Sequence, residues 1–139
     1  MTRFLLDRGV AGDFINRRRG VFDRAMDEVR RGNPVGIGVP VLAELAYGVE
    51  QSRSRDLNRA RLRKALTIWW VWPFDNLAAL EHGRIAVEPR RIGRPMQQID
   101  IQVAAVAFAL GNCAVVSTDS DLKAFPGLSV EDWASETHG

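Results

Sequence analysis

The chain has 139 residues, enough for one domain and too few for two ordinary ones. Hydrophobic residues make up 46% and charged residues 26%, so it can bury a core and is not a globally disordered polyelectrolyte. A net charge of +2 excludes a histone-like polycation, and no apolar run approaches the ~20 residues that cross a bilayer. Asp7 interrupts the N-terminal apolar stretch before it reaches signal-peptide length. The expectation is a soluble cytoplasmic protein with a single domain over residues 1–139. The lone Cys113 has no partner for an internal disulfide, agrees with a reducing compartment, and reads as a small buried hydrophobe.

In chain order, Phe4, Leu5 and Leu6 predict a buried first strand that stops at Asp7. A short helix is expected around residues 12–16. Val21, Phe22, Ala25, Met26 and Val29 recur at helical spacing and predict a second helix over residues 20–31, ended by Gly32, Asn33 and Pro34. Residues 35–39 read as a second strand. Pro40 suits the first turn of the helix that follows, where a missing N–H costs nothing. A basic helix is expected over residues 54–69, then a short strand over 70–74. Asp75 is a good N-cap for a helix through Glu88, which Pro89 should break. Gly93, Arg94 and Pro95 predict a loop. Asp100 is expected to open an apolar helix over 101–110, closed by Gly111 and Asn112. Residues 114–116 read as a buried strand leading to Ser117, Thr118 and Asp119, and 128–130 as a last edge strand. Strands alternating with helices point to an α/β sandwich with a mostly parallel sheet, in which sites form beyond the carboxyl ends of the strands.

Four acids fall where such a site would be. Asp7 and Asp119 follow apolar strands, Asp100 begins an apolar helix, and Glu44 lies near the start of the helix after the second strand. Converging carboxylates repel one another, and a cation relieves that repulsion. Their oxygens are hard ligands suited to Mg²⁺ or Mn²⁺, and His82, inside a helix, and His138, in the tail, form no softer cluster. A cation so held can activate water and stabilise charge on a phosphodiester. Each acid also has an ordinary reading: Asp100 as a helix cap, Asp7 and Asp119 as loop acids, Glu44 on a solvated face. The basic clusters (Arg17 to Arg19; Arg53, Arg55, Arg59, Arg61, Arg63 and Lys64; Arg90, Arg91 and Arg94) suit a polyanion or simply face solvent. Trp69, Trp70 and Trp72 favour core packing or a dimer interface over base stacking.

Several segments together carry a family resemblance. They are Phe4-Leu5-Leu6-Asp7, Val39-Pro40-Val41-Leu42-Ala43-Glu44-Leu45 with Tyr47-Gly48-Val49-Glu50, and Pro73-Phe74-Asp75. Ile92-Gly93-Arg94-Pro95 and Asp100-Ile101-Gln102-Val103-Ala104-Ala105 follow, then Ser117-Thr118-Asp119-Ser120-Asp121-Leu122 and residues 126–133. In this order they resemble a PIN-domain protein of the VapC type, the toxin half of a bacterial toxin–antitoxin pair. The resemblance implies a three-layer α/β/α PIN-like sandwich and an Mg²⁺- or Mn²⁺-dependent endoribonuclease that cleaves RNA such as tRNA or rRNA. It further implies a small VapB-type antitoxin partner and a homodimer. It places the family's first three acids on Asp7, Glu44 and Asp100, and the fourth on Asp119, with Asp121 as the neighbouring candidate. One departure stands out: the family's Thr or Ser after the first acid is Arg8 here, followed by Gly9. A guanidinium there either points to solvent or pairs with the carboxylates and competes with the cation. The second case would leave an inactive PIN-fold protein that binds RNA or an antitoxin. Pro89 is a smaller departure. A phospho-acceptor receiver domain is disfavoured, because Arg8-Gly9 does not supply its paired acids.

Overall fold

The computed structural model describes residues 1–91, 93 and 96–134. The expected turn at Arg94 and Pro95 and the position of His138 lie outside those residues. Five strands form one sheet: β1 (Arg3–Leu6), β2 (Val35–Gly38), β3 (Trp70–Trp72), β4 (Cys113–Val116) and β5 (Ser129–Glu131). Their order is β3-β2-β1-β4-β5, and every pairing is parallel. The central strands are aliphatic on both faces. Leu5, Leu6, Ile37, Val115 and Val116 are wholly buried, as a sheet covered by helices on both sides requires.

Gly36 explains how the short strands β2 and β3 approach. It pairs with Trp70, and a Cβ at that position would lie 2.1 Å from the Trp70 carbonyl oxygen. Trp69 and Trp72 are buried in the core while Trp70 faces water, which bears out the packing reading for two of the three tryptophans.

The helices are α1 (Arg8–Ile15), α2 (Val21–Arg30), α3 (Val39–Gln51), α4 (Arg55–Leu66), α5 (Asn76–Ile85), α6 (Val87–Arg91) and α7 (Gln98–Leu110), with a 3-10 helix at Ser120–Ala124. Asp75 caps α5 as expected, accepting from the Ala78 N–H at 3.1 Å. Pro40 lies in the first turn of α3.

Three expectations need correction. The first helix begins at Arg8 rather than near Gly12, because Asp7 caps it through the Val10 N–H at 2.8 Å. Pro89 does not make the break after α5. The chain breaks at Ala86, and Pro89 is accommodated in the short α6, whose first turn needs no donor there. Asp100 does not open its helix: Gln97 occupies the cap position, and Asp100 is the third residue of α7, within its first turn.

The strand order reverses between β1 and β4. Connections run both ways from that point, and the right-handed crossover that parallel strands favour puts their helices on opposite faces, giving the three-layer arrangement. The gap beyond the carboxyl ends of β1 and β4 is where such sheets place their sites.

Candidate active site

Two chain segments leave the sheet side by side at this reversal. β1 and β4 are in register to their last residues, Leu6 opposite Val116, and the Asp7 N–H donates to the Val116 carbonyl at 3.1 Å. Asp7 and Ser117 are therefore the first residues past the sheet on neighbouring strands, and both are buried. The Ser117 hydroxyl hydrogen-bonds the Asp7 carboxylate, and its oxygen accepts from the Asp119 N–H at 2.9 Å. The Ser117 N–H is tied to the Glu131 carbonyl at 3.0 Å. One side chain thus joins two of the candidate acids. Asp119 in turn caps the 3-10 helix, accepting from the Asp121 N–H at 2.9 Å.

Asp100 projects from the first turn of α7, and Glu44 stands exposed on α3, which packs against both α7 and α1. Their charges reach one another. Burial first, then Asp119, Asp7, Asp121 and Glu44, push the Asp100 carboxyl up from 3.8 to about 6. Burial also pushes the Asp7 carboxyl above its usual range. Ser117 and the Val10 N–H hold it down, while Asp119 and Asp13 push it up. The side-chain charges that shift Asp7 and Asp100 are all carboxylates, with no arginine or lysine among them. Among the described residues, no three acidic, histidine or cysteine side chains close on a common point tightly enough to hold an ion. The donors are of one hard kind and share one field; Glu44 stands exposed on α3, while Asp119 is exposed but held by Ser117 and the Asp121 N–H.

Arg8 neither points freely to solvent nor pairs with the carboxylates. Its guanidinium lies between α1 and α3, 3.5 Å from where a Cβ on Gly12 would be and 3.4 Å from one on Gly48. It does not pair with any of the acids among the described residues. Ser117 is the site residue that the strand-and-acid pattern did not single out. The available signal was its place directly after an apolar strand, matching that of Asp7. Burial pushes the Cys113 thiol up to about 12, as suits an inert core sulfur.

Residues 4–128 match the PIN domain family. Ribonuclease VapC2 of Rickettsia felis is 25% identical over 130 residues, covering 94% of this chain and 97% of that protein. The tRNA(fMet)-specific endonuclease VapC of Salmonella typhimurium is 32% identical over 92 residues, covering 66% of this chain and 70% of that protein. Among solved structures, DNA-bound VapBC from Salmonella typhimurium shares the fold with a TM-score of 0.86 and 28% identity, covering 96% of this chain and 99% of that one. VapBC2 from Rickettsia felis bound to a promoter DNA fragment gives a TM-score of 0.87 at 24% identity, covering 95% and 99%. The chain belongs to the PIN-domain family and is of the VapC type.

Proposed function

We propose that this protein is a divalent-cation-dependent endoribonuclease, the toxin of a VapBC-type pair, acting through Asp7, Asp100, Glu44 and Asp119. The observation that carries the reading is the convergence of these carboxylates at the strand-order reversal, where burial first and then the charges of Asp119, Asp7, Asp121 and Glu44 raise Asp100 to about 6. Repulsion of that kind is what a bound cation offsets. The donor set fits Mg²⁺ or Mn²⁺ in kind: only carboxylates, one fixed and buried, the others at least partly in water. Bound there, the cation would supply a more acidic water and stabilise charge on the phosphodiester.

The protein's own share is positioning. Asp7 is held from both sides by Val10 and Ser117. Ser117 passes that constraint to Asp119. Asp100 rests on a thirteen-residue helix whose N-terminus favours negative charge. The alternative, a PIN-fold module inactivated by Arg8, needs the guanidinium paired with the acids, and its nearest placed neighbours are instead Gly12 and Gly48.

Structured RNA of the tRNA kind is the proposed substrate, since a relative of this chain is named for tRNA(fMet). A small VapB-type antitoxin is the proposed partner, as in the VapBC complexes that share the fold. A homodimer is the proposed assembly. No helix among the described residues is long and apolar enough to cross a membrane, and a cytoplasmic location is proposed with the rest. The test is cleavage of end-labelled tRNA across a titration of Mg²⁺ and Mn²⁺, with Asp7→Asn and Asp100→Asn as controls. Cation-dependent cleavage by the parent protein alone supports the proposal. Equal background cleavage from all three proteins would sink it.

A further inference from the structure

Two adjoining hollows on the α1 side of the molecule form a groove lined by cations. The first, about 270 Å³, runs from Arg8 between Gly12 of α1 and Gly48 of α3 towards Asn58 of α4. The second, about 300 Å³, lies between the end of α1 and α4 and is walled by Arg17, Arg61 and Lys64. They share Ile15 and Asn16 as lining, so they adjoin. No carboxylate lines either one.

The cations of this groove differ from Arg55 and Arg59 at the start and middle of α4. Arg55 and Arg59 are paired with Glu50, and Arg59 also with Asp56. Arg8, Arg61 and Lys64 have no side-chain hydrogen bond or ion pair among the described residues. Arg17 is stacked 3.4 Å over the Phe22 ring and donates to the Phe14 carbonyl, which fixes its charge at the far wall. Two of the groove's lining residues are neighbours of the acids along the chain. Arg8 follows Asp7 directly, and Gly48 lies one turn beyond Glu44 on α3, about 6 Å along the helix axis. Gly12 and Gly48 leave the guanidinium room: a Cβ on either would already touch it, and a larger side chain would displace it.

We infer that this groove is a second substrate subsite, in which Arg8, and farther along Arg61 and Lys64, bind backbone phosphates of the RNA strand held at the acids. The inference rests on the ribonuclease reading above. Its logic is electrostatic. A polyanion approaching four or five carboxylates is repelled unless cationic side chains beside them hold the flanking phosphates. Arg8 is the cation nearest the acids in the chain, and a planar guanidinium with no partner is suited to a phosphate. The apolar floor, from Phe14 and Ile15 to Leu62, gives sugar and base faces a surface to lie on. Arg8, Arg61 and Lys64 are thus positioning residues that do not touch the reacting atoms.

The test measures RNA binding apart from cleavage. Asp100→Asn protein is titrated with fluorescently labelled tRNA across a salt series, alone and with Arg8→Gln, Arg61→Gln or Lys64→Gln added. Arg30→Gln, an exposed cation on α2 paired with Asp27, is the control. Each groove variant should weaken binding about five- to tenfold, and should lower the slope of log affinity against log salt by about 0.7–0.9 for each phosphate no longer held. The control should change neither. Binding by the Asp100→Asn protein that no groove variant alters, in affinity or in slope, overturns the subsite and leaves the groove to a protein segment. Failure of the Asp100→Asn protein to bind RNA at all fails the ribonuclease reading beneath it, which is a distinct result. Circular dichroism of each variant verifies that a weakened one is still folded.

Discussion

Asp100→Asn tests the site without any nuclease assay. In the cation-free protein Asp100 is ionised at neutral pH at a cost, because burial and four neighbouring carboxylates raise its carboxyl from 3.8 to about 6. Taken at full value, that rise corresponds to about 3 kcal/mol. Asp100 is only half-buried, and solvent screening reduces the figure to about 1 kcal/mol. Against this, the first turn of α7 favours a negative charge by about 0.5 kcal/mol. Burial and repulsion together win, so Asp100→Asn should stabilise the cation-free fold by about 0.5 kcal/mol, or about 2 °C in Tm. The sign with pH follows from the raised value. The folded parent binds the proton more tightly than the unfolded chain, so its advantage is present below about 3.8 and is lost as pH rises through about 6. The gap between variant and parent should therefore be full at about pH 7.5 and close steadily between about pH 6 and 4. Added Mg²⁺ should reverse the ranking, stabilising the parent by about 2.7 kcal/mol at about a hundredfold excess over its dissociation constant, and the variant far less. Calorimetric melts in chelator and in Mg²⁺ give both numbers. A variant that melts below the parent in chelator, or equal Mg²⁺ shifts in both proteins, would refute the reasoning.

Cleavage should fall as pH drops through about 6, since Asp100 must be ionised to take part in holding a cation; kcat/KM that stays flat to about pH 5 at fixed Mg²⁺ contradicts this. Ser117→Ala removes the hydroxyl that joins Asp7 to Asp119 and should weaken Mn²⁺ affinity about 10- to 100-fold while the protein stays folded, which isothermal titration reads directly. Asp7→Asn keeps a capping side chain on α1 and should retain stability while losing cleavage, whereas Asp7→Ala should also lose about 1 kcal/mol in denaturant melts. Gly36→Ala places a carbon 2.1 Å from the Trp70 carbonyl oxygen, so β3 must move; a loss of about 1–3 kcal/mol or more is expected in urea unfolding, and an unchanged midpoint would show that the edge yields freely.

The central strands were legible because each is a short apolar run ended by a polar or turn residue, and the sheet buries them on both faces. Helix bounds were less so where one residue does two jobs. Asp7 read as a strand-end acid and concealed its capping of α1, and Gly9, a poor helix former, masked the true start. Pro89 read as a breaker because its position within a first turn depends on the break at Ala86. The acids could be named from their places at element ends. What joins them could not: Ser117 and Asp7 are 110 positions apart and meet only through the register of β1 with β4. Arg8 presented the same difficulty. Its course depends on two glycines, one on α1 and one on α3, that leave space between the helices.

The ordinary and the functional readings of these acids turn out to be compatible. Asp7 and Asp119 each accept with one carboxylate oxygen, Oδ1, from a backbone N–H at the start of a helical turn, and the Asp7 carboxylate accepts from the Ser117 hydroxyl as well. Asp100 lies in the first turn of α7, and α1 begins directly after Asp7. The positive ends of two α-helices therefore face the acids, each favouring a nearby negative charge by about 0.3–1 kcal/mol. Helix ends together with the Ser117 hydroxyl offset part of the repulsion that would otherwise open the switch point, so the fold can gather carboxylates before any cation arrives. The offset is incomplete, as the raised Asp100 carboxyl shows. Part of that rise is burial and part is repulsion from Asp119, Asp7, Asp121 and Glu44, and the repulsive part is free energy a divalent ion would recover on binding beside Asp100, an acid that caps no helix.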